Sequence, residues 1–259
     1  MKYGCFGDLA DYDVVEELGF DSIELSLEEI NALSDVEFAM LRQRIAPSHC
    51  KPHAVSRLIP LRERINDPNF KMQYWLDFFR RGAERTVALG TTMWVFGCGK
   101  PRCIAETEPM RHSTQAKVDK FILEIADILY PNKILLVIEP LGSPYSNYIG
   151  TVREATSFVN YYQHKNIAAM CDLRHMVNRG EMPETLPKFR SCLCHAHIDY
   201  PIGEKRLFPQ EYDGYDYTAF FNALREMRYD GILTIEAIHK ENLRAEGSQS
   251  LLFLKRNFQ

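Results

Sequence analysis

Residues 134–175 read ILLVIEPLGSPYSNYIGTVREATSFVNYYQHKNIAAMCDLRH. An apolar run, Ile134–Ile138, ends at Glu139; a segment with apolar residues three and four apart follows; a second apolar run, Ile167–Cys171, ends at Asp172. Alternation of strand-like and helix-like periods is the mark of a parallel sheet with helical crossovers. Each of the two strands delivers a carboxylate at its C-terminal end.

Working outward, the same unit recurs. Candidate strands fall at 3–6, 22–26, 45–50, 92–97, 134–139, 167–172, 192–198 and 232–236. Amphipathic segments such as MQYWLDFFRRGAERTVALG (72–90), AKVDKFILEIADILY (116–130) and YTAFFNALREMRYDG (217–231) lie between them. Eight units in 259 residues favour an α/β fold of one kind, a single-domain (β/α)8 TIM barrel spanning 1–259. No composition shift marks a second domain, and no G-x-G-x-x-G follows a strand, so a dinucleotide-binding sheet has no support. Residues 51–70 form the longest connection and are expected as a lid or binding loop.

The formal charge of −4 gives no general attraction to nucleic acid or an anionic membrane. No apolar run approaches the ~20 residues of a membrane span. The seven cysteines are scattered, and MKYGCFGDLADYD carries no legible secretory signal, so the expected setting is a reducing cytoplasm.

In a barrel of this type, catalytic groups sit at the C-terminal strand ends. Four successive strands present such groups: Glu139 in LLVIEP, Asp172 in AAMCDLRH, His197 in LCHAHID and Glu236 in LTIEA. Strand parity tests them, because alternate side chains face opposite ways. With His197 inward, Leu193, His195 and Asp199 are inward and Cys192, Cys194, Ala196 and Ile198 face the helices. The corresponding outward residues are Leu136 and Ile138, Ala169 and Cys171, and Leu233, Ile235 and Ala237. All are apolar or small, as a helix-covered face requires. Three carboxylates around one imidazole are costly to bury without a cation. The set therefore reads as one divalent metal site suited to Mn2+, Mg2+ or Co2+, with Zn2+ also possible; the donors alone do not choose among them, and Mn2+ is the first expectation.

These motifs, IEP, D-x-x-H, H-x-H and IEA, resemble those of the xylose isomerase-like TIM-barrel superfamily of sugar isomerases and epimerases, nearest its ketose 3-epimerase and hydroxypyruvate isomerase branches. VFGCGKPR (95–102) resembles a loop found in several members. The resemblance implies metal ligation by Glu139, Asp172, His197 and Glu236 and substrate contact by His175. Two departures stand out. Where the epimerases often carry a second Glu, this chain reads EPLGSPYSNY (139–148). Where they place an Arg six residues after the metal His, it has Gly203, with Lys205 and Arg206 just beyond.

The expected chemistry is proton transfer at carbon by Glu139 and Glu236, with enediolate charge stabilised by the metal. His175 and His53 are expected to touch substrate, and Lys205 or Arg206 to anchor a distal hydroxyl or phosphate. Trp94 and Phe96 are expected inside the barrel or on the pocket floor. The expected partners are a small carbohydrate substrate and, through barrel faces, further copies of the chain; nucleic acid and membrane are not. A dehydratase or lyase on the same barrel is the main rival, ahead of an AP endonuclease-type hydrolase and a non-catalytic sugar-binding barrel.

Overall fold

The computed structural model describes residues 1–258. Eight strands, β1 (Lys2–Phe6), β2 (Ser22–Ser26), β3 (Lys51–Ser56), β4 (Met93–Phe96), β5 (Leu135–Ile138), β6 (Ile167–Asp172), β7 (Leu193–Ile198) and β8 (Ile232–Ile235), close into a parallel barrel in sequence order. The seam is β8 against β1, where Lys2–Cys5 pair with Ile232–Ile235. Outside it run α1 (Tyr12–Glu17), α2 (Leu27–Ala32), α3 (Asp35–Ile45), α4 (Met72–Ala88), α5 (Met110–Leu129), α6 (Val152–Tyr162), α7 (Leu173–Arg179), α8 (Thr218–Glu226) and α9 (Leu243–Asn257). Among the described residues no helix is long and apolar enough to cross a membrane, and all seven cysteines are free.

The core has two parts. A small inner cluster of Ala54, Val95, Val137 and Met170 fills the barrel. A larger one joins the outward strand residues to the helices. The helices dock by period: α4 buries Trp75, Leu76, Phe79 and Ala83 along one face, as a helix lying on a sheet must. Trp94 and Phe96 belong to the outer cluster, not to the barrel interior or the pocket floor. Trp94 packs edge-on against Phe79 with centroids 5.9 Å apart and donates its indole N–H to Thr86 Oγ1 at 3.0 Å.

Two expectations about strands are corrected. The third strand is 51–56, not 45–50. Ser34 and Glu37 form a reciprocal capping box that starts α3, and the helix runs through Ile45. Lys51 Nζ then donates to the carbonyls of Ile45 and Ala46 at 2.7 and 2.8 Å, closing the helix end. KPHAVS hides its strand character because its first half is polar. The open connection is accordingly 57–71.

The second correction concerns β7. The pairing steps from Ala169↔Leu193 to Met170↔His195, leaving Cys194 as the extra residue of a bulge. Parity inverts there: Leu193 packs on the outer core and Cys194 against the inner cluster. Beyond the bulge the expected order holds, with Ala196 and Ile198 in the outer core.

Arg102 ties the top of this region together. It is fully buried and donates to the carbonyls of Phe96, Glu139 and Ile149 at 3.1, 2.8 and 2.9 Å. Arg102→Met removes the donor from three buried acceptors, each worth roughly 1–3 kcal/mol when stranded. Urea denaturation of the variant should therefore show a loss of at least about 2 kcal/mol.

Candidate metal and substrate site

The four strand-end groups converge. Glu139, Asp172, His197 and Glu236 each offer a ligand atom, all within 4.8 Å of one another. His197 Nδ1 is 3.1 Å from Glu236, 3.5 Å from Glu139 and 3.8 Å from Asp172.

Each group is aimed by a different local device. Asp172 ends β6 and is also the N-cap of α7; its Oδ1 accepts from the His175 amide at 3.0 Å. The cap fixes the carboxylate and sets the D-x-x-H spacing, since the residue three beyond the cap is the one whose amide it meets. Glu139 leans over Gly97, where a Cβ would overlap its carboxylate. Glu236 accepts from Arg206 Nη1.

The electrostatics follow from crowding. Burial, followed by the Glu236 charge, pushes the Glu139 carboxyl up to about 7. Burial opposes ionisation of Asp172 too, but His175, His197 and Arg206 outweigh it and hold Asp172 well below the usual carboxylate range. Burial likewise disfavours a charged His197, yet Glu24 and Glu236 raise it well above the ordinary imidazole value. His175 is driven down to about 4 by burial.

The residues fit a divalent cation. Glu139 Oε1 is buried with no hydrogen-bond partner. Three acidic groups face one imidazole nitrogen, the mixed oxygen and nitrogen set that hard and borderline divalent ions accept. The glycine at 97 leaves the room that the Glu139 carboxylate uses.

A cavity of about 590 Å³ opens above these groups, with Glu139, His197, Arg206 and Glu236 in its wall. Arg57, Ile59, Pro60 and Leu61 come from the 57–71 connection, and Tyr145 from the stretch after β5. Ser56, at the end of β3, lines the cavity with a hydroxyl that has no partner in the protein.

The other expected substrate contacts separate. Arg206 is buried at the site, donating to Glu236 and lying 2.8 Å from His175 Nε2. His175 lies behind it, 1% exposed and outside the cavity lining. Its ring faces two donors, Arg206 and the Gly142 amide at 3.3 Å. A neutral imidazole has one bare nitrogen and accepts from only one of them. Lys205 is exposed and contributes only its carbonyl, to Arg174 at 2.8 Å. His53 sits near the N-terminal end of β3, the far end of the barrel, where Lys2, Lys51 and Asp21 are its charged neighbours.

Three functional residues were not singled out from sequence. Glu24 on β2, 1% exposed, is 3.1 Å from His195 Nε2 and 3.0 Å from His197 Nε2. The alternation in SIELS, with Ile23 and Leu25 outward, carries that signal. Arg174 bonds Asp199 at 2.6 Å and the Gly203 carbonyl at 2.8 Å, shaping the loop that brings Arg206 in. Tyr145 meets His175 edge-on at 5.0 Å and has the Arg206 guanidinium 5.8 Å from its ring centre. Nothing in the sequence marks it.

A family model described as xylose isomerase-like TIM barrel matches residues 12–257. No curated protein sequence matches the chain. Among solved structures, D-psicose 3-epimerase from Clostridium cellulolyticum H10 with D-tagatose is 17% identical, with 100% of each chain covered and a TM-score of 0.83. The 3-keto-D-glucoside 4-epimerase of E. coli is 18% identical over 99% of each chain, TM-score 0.81. The IolI protein with a bound zinc atom is 19% identical over 100% of this chain and 96% of its own, TM-score 0.76. At these identities the likeness is one of fold.

Two outcomes follow from the geometry. Gly97→Ala, which displaces the Glu139 carboxylate, should weaken Mn2+ binding in calorimetry well beyond any change in thermal stability. A metal must also displace the proton that Glu139 holds up to about pH 7. His197, held well above the ordinary imidazole value, must likewise give up the proton on Nδ1, so Mn2+ affinity should rise with pH through neutrality, by about tenfold per unit for each proton released. An affinity constant from pH 5.5 to 7.5 would contradict the arrangement.

Proposed function

The chain belongs to the xylose isomerase-like TIM-barrel family, and on that premise we propose that it is a divalent-metal-dependent isomerase or epimerase of a small sugar or sugar phosphate. One observation carries the reading. Two carboxylates, Glu139 and Glu236, stand on strands three apart in the barrel and share one candidate metal site beneath a single cavity. A binding module needs no such pair, whereas proton transfer at carbon needs a group to remove the proton and one to return it.

Glu139, Asp172, His197 and Glu236 would hold the ion, taken first as Mn2+, with Mg2+, Co2+ or Zn2+ also compatible with their mixed donors. When bound, it supplies Lewis-acid charge for the oxyanion that develops as a carbon beside a carbonyl loses its proton. The chain's own residues do the rest. Glu236 and Glu139 approach the bound sugar from different strands, so that one takes the carbon-bound proton and the other delivers it. For an epimerisation the two act on opposite faces of the same carbon; for an aldose–ketose isomerisation the proton moves to the neighbouring one.

Arg206, hydrogen-bonded to Glu236 and lining the cavity, would hold a substrate oxygen next to that carboxylate, with His175 behind it. The Ser56 hydroxyl offers a second polar contact. Ile59, Pro60 and Leu61 wall the cavity and keep water from the reacting carbon. The names of the structural relatives, D-psicose 3-epimerase and 3-keto-D-glucoside 4-epimerase, support this class of substrate. The seven free cysteines support a cytoplasmic setting.

The test is a Mn2+-supplemented screen of ketoses, aldoses and their phosphates, read by proton exchange in deuterated water. The expected result is exchange at one carbon that Glu139→Gln or Glu236→Gln lowers by at least about 100-fold, the usual scale of general acid–base catalysis. Undiminished exchange in either variant overturns these roles. Loss of a leaving group with exchange would assign the site to a dehydratase.

A further inference from the structure

Glu24 is buried on β2 between Ile23 and Leu25, which pack outward. No solvent reaches it, and an ionised carboxylate in such a place is costly unless donors surround it. The donors are two imidazoles. Glu24 Oε2 lies 3.1 Å from His195 Nε2 and 3.0 Å from His197 Nε2. The two rings stand nearly perpendicular, with centroids 4.9 Å apart.

A carboxylate oxygen only accepts, so each ring nitrogen facing it carries hydrogen. In His197 that nitrogen is Nε2. The other, Nδ1, faces Glu236, Glu139 and Asp172 at 3.1, 3.5 and 3.8 Å. The ring is thus held between an acceptor below and a ring of acidic groups above. Packing alone does not choose which nitrogen keeps its proton; a buried acceptor does. A leucine at position 24 would fill the space without the desolvation cost, so the carboxylate is explained by its effect on the rings and not by stability.

We propose that Glu24 is a positioning residue: it fixes His197 with its proton on Nε2 and its plane upright, presenting the Nδ1 lone pair to a divalent cation. His195 serves the same arrangement from the other side, holding Glu24 Oε2 in place by a second N–H. The inference rests on the metal reading above and assigns Glu24 no contact with substrate.

The experiment compares wild type with Glu24→Gln and Glu24→Asp, using full-length protein freed of metal and titrated with Mn2+ alone. Mn2+ affinity should fall by about 10–100-fold in Glu24→Gln, the usual effect of removing the partner of a metal-ligating histidine. The melting temperature of the metal-free variant should change little, and Glu24→Asp should restore part of the affinity. On the zinc-loaded wild type, ring proton–nitrogen correlation should show the His197 proton on Nε2. A folded Glu24→Gln that binds Mn2+ within twofold of wild type overturns the proposal, as does a His197 proton found on Nδ1. The ring spectrum needs no variant and can overturn the proposal even where Glu24→Gln fails to fold, while the partial recovery in Glu24→Asp assigns the effect to the carboxylate. Wild type that binds no Mn2+ is a separate failure, since it removes the metal reading on which the inference stands.

Discussion

Buried negative charge is the constraint on which the upper half of this barrel depends. Glu139, Asp172, Glu236, Asp199 and Glu24 all lie at the ends of strands or inside them, and all but Glu236 are nearly or wholly inaccessible to water. Such groups persist only when cations or donors face them. The protein supplies three kinds of answer. Arg174 bonds Asp199, Arg206 faces Glu236, Asp172 and Asp199 together, and the histidines of β7 stand between Glu24 and the remaining carboxylates. Even so, burial and the Asp172 charge push Asp199 up to about 8, and Glu139 Oε1 has no partner. The balance is incomplete without a further positive charge, and that deficit is the structural argument for a metal.

The surrounding architecture is arranged to hold this charge still. Arg102 spends its guanidinium on three backbone carbonyls, including that of Glu139 itself. Arg174 does the same for the loop after β7, gathering the carbonyls of Tyr200, Gly203 and Lys205. These two arginines are buried yet face no substrate. Their donors replace the water that would otherwise solvate irregular backbone at the strand ends, and so the loops can stay tight around the site.

Legibility in the sequence divides along physical lines. The barrel was readable because strand and helix periods differ and repeat eight times, and the four converging side chains because three of four successive strands end in a carboxylate and the other, β7, carries the histidine between apolar neighbours. The third strand was hidden because KPHAVS is polar where it meets the barrel floor, and the preceding helix ends on the apolar Ile45 that imitates a strand start. The bulge at Cys194 could not be read from alternation, since a single extra residue depends on the partner strand's register. His53 was misplaced for a related reason: with β3 displaced by six residues, a histidine near its start falls at the wrong end of the barrel. Arg206 escaped a clear choice over Lys205 because the loop's path is set by Arg174, through contacts 25 to 31 positions away in the chain that no local pattern encodes. Glu24 was legible in principle, since SIELS shows the same alternation as LTIEA.

The three carboxylates of the candidate metal site differ in how firmly they are held, and on the proposed function the difference bears on which one would move a proton. Asp172 is locked by capping α7. Glu139 is confined against Gly97 and anchored at its carbonyl by Arg102. Glu236 depends on a side chain, Arg206, that itself faces the cavity, and with 13% of its side chain exposed it is the most accessible of the three. Any ligand oxygen that engages Arg206 alters the partner that orients Glu236; on the proposed function, substrate binding is thereby coupled to the position of a carboxylate that would move its proton. In this barrel the departure from the expected spacing after β7 is what makes that coupling available, because it brings the arginine into the site on a loop closed by Arg174.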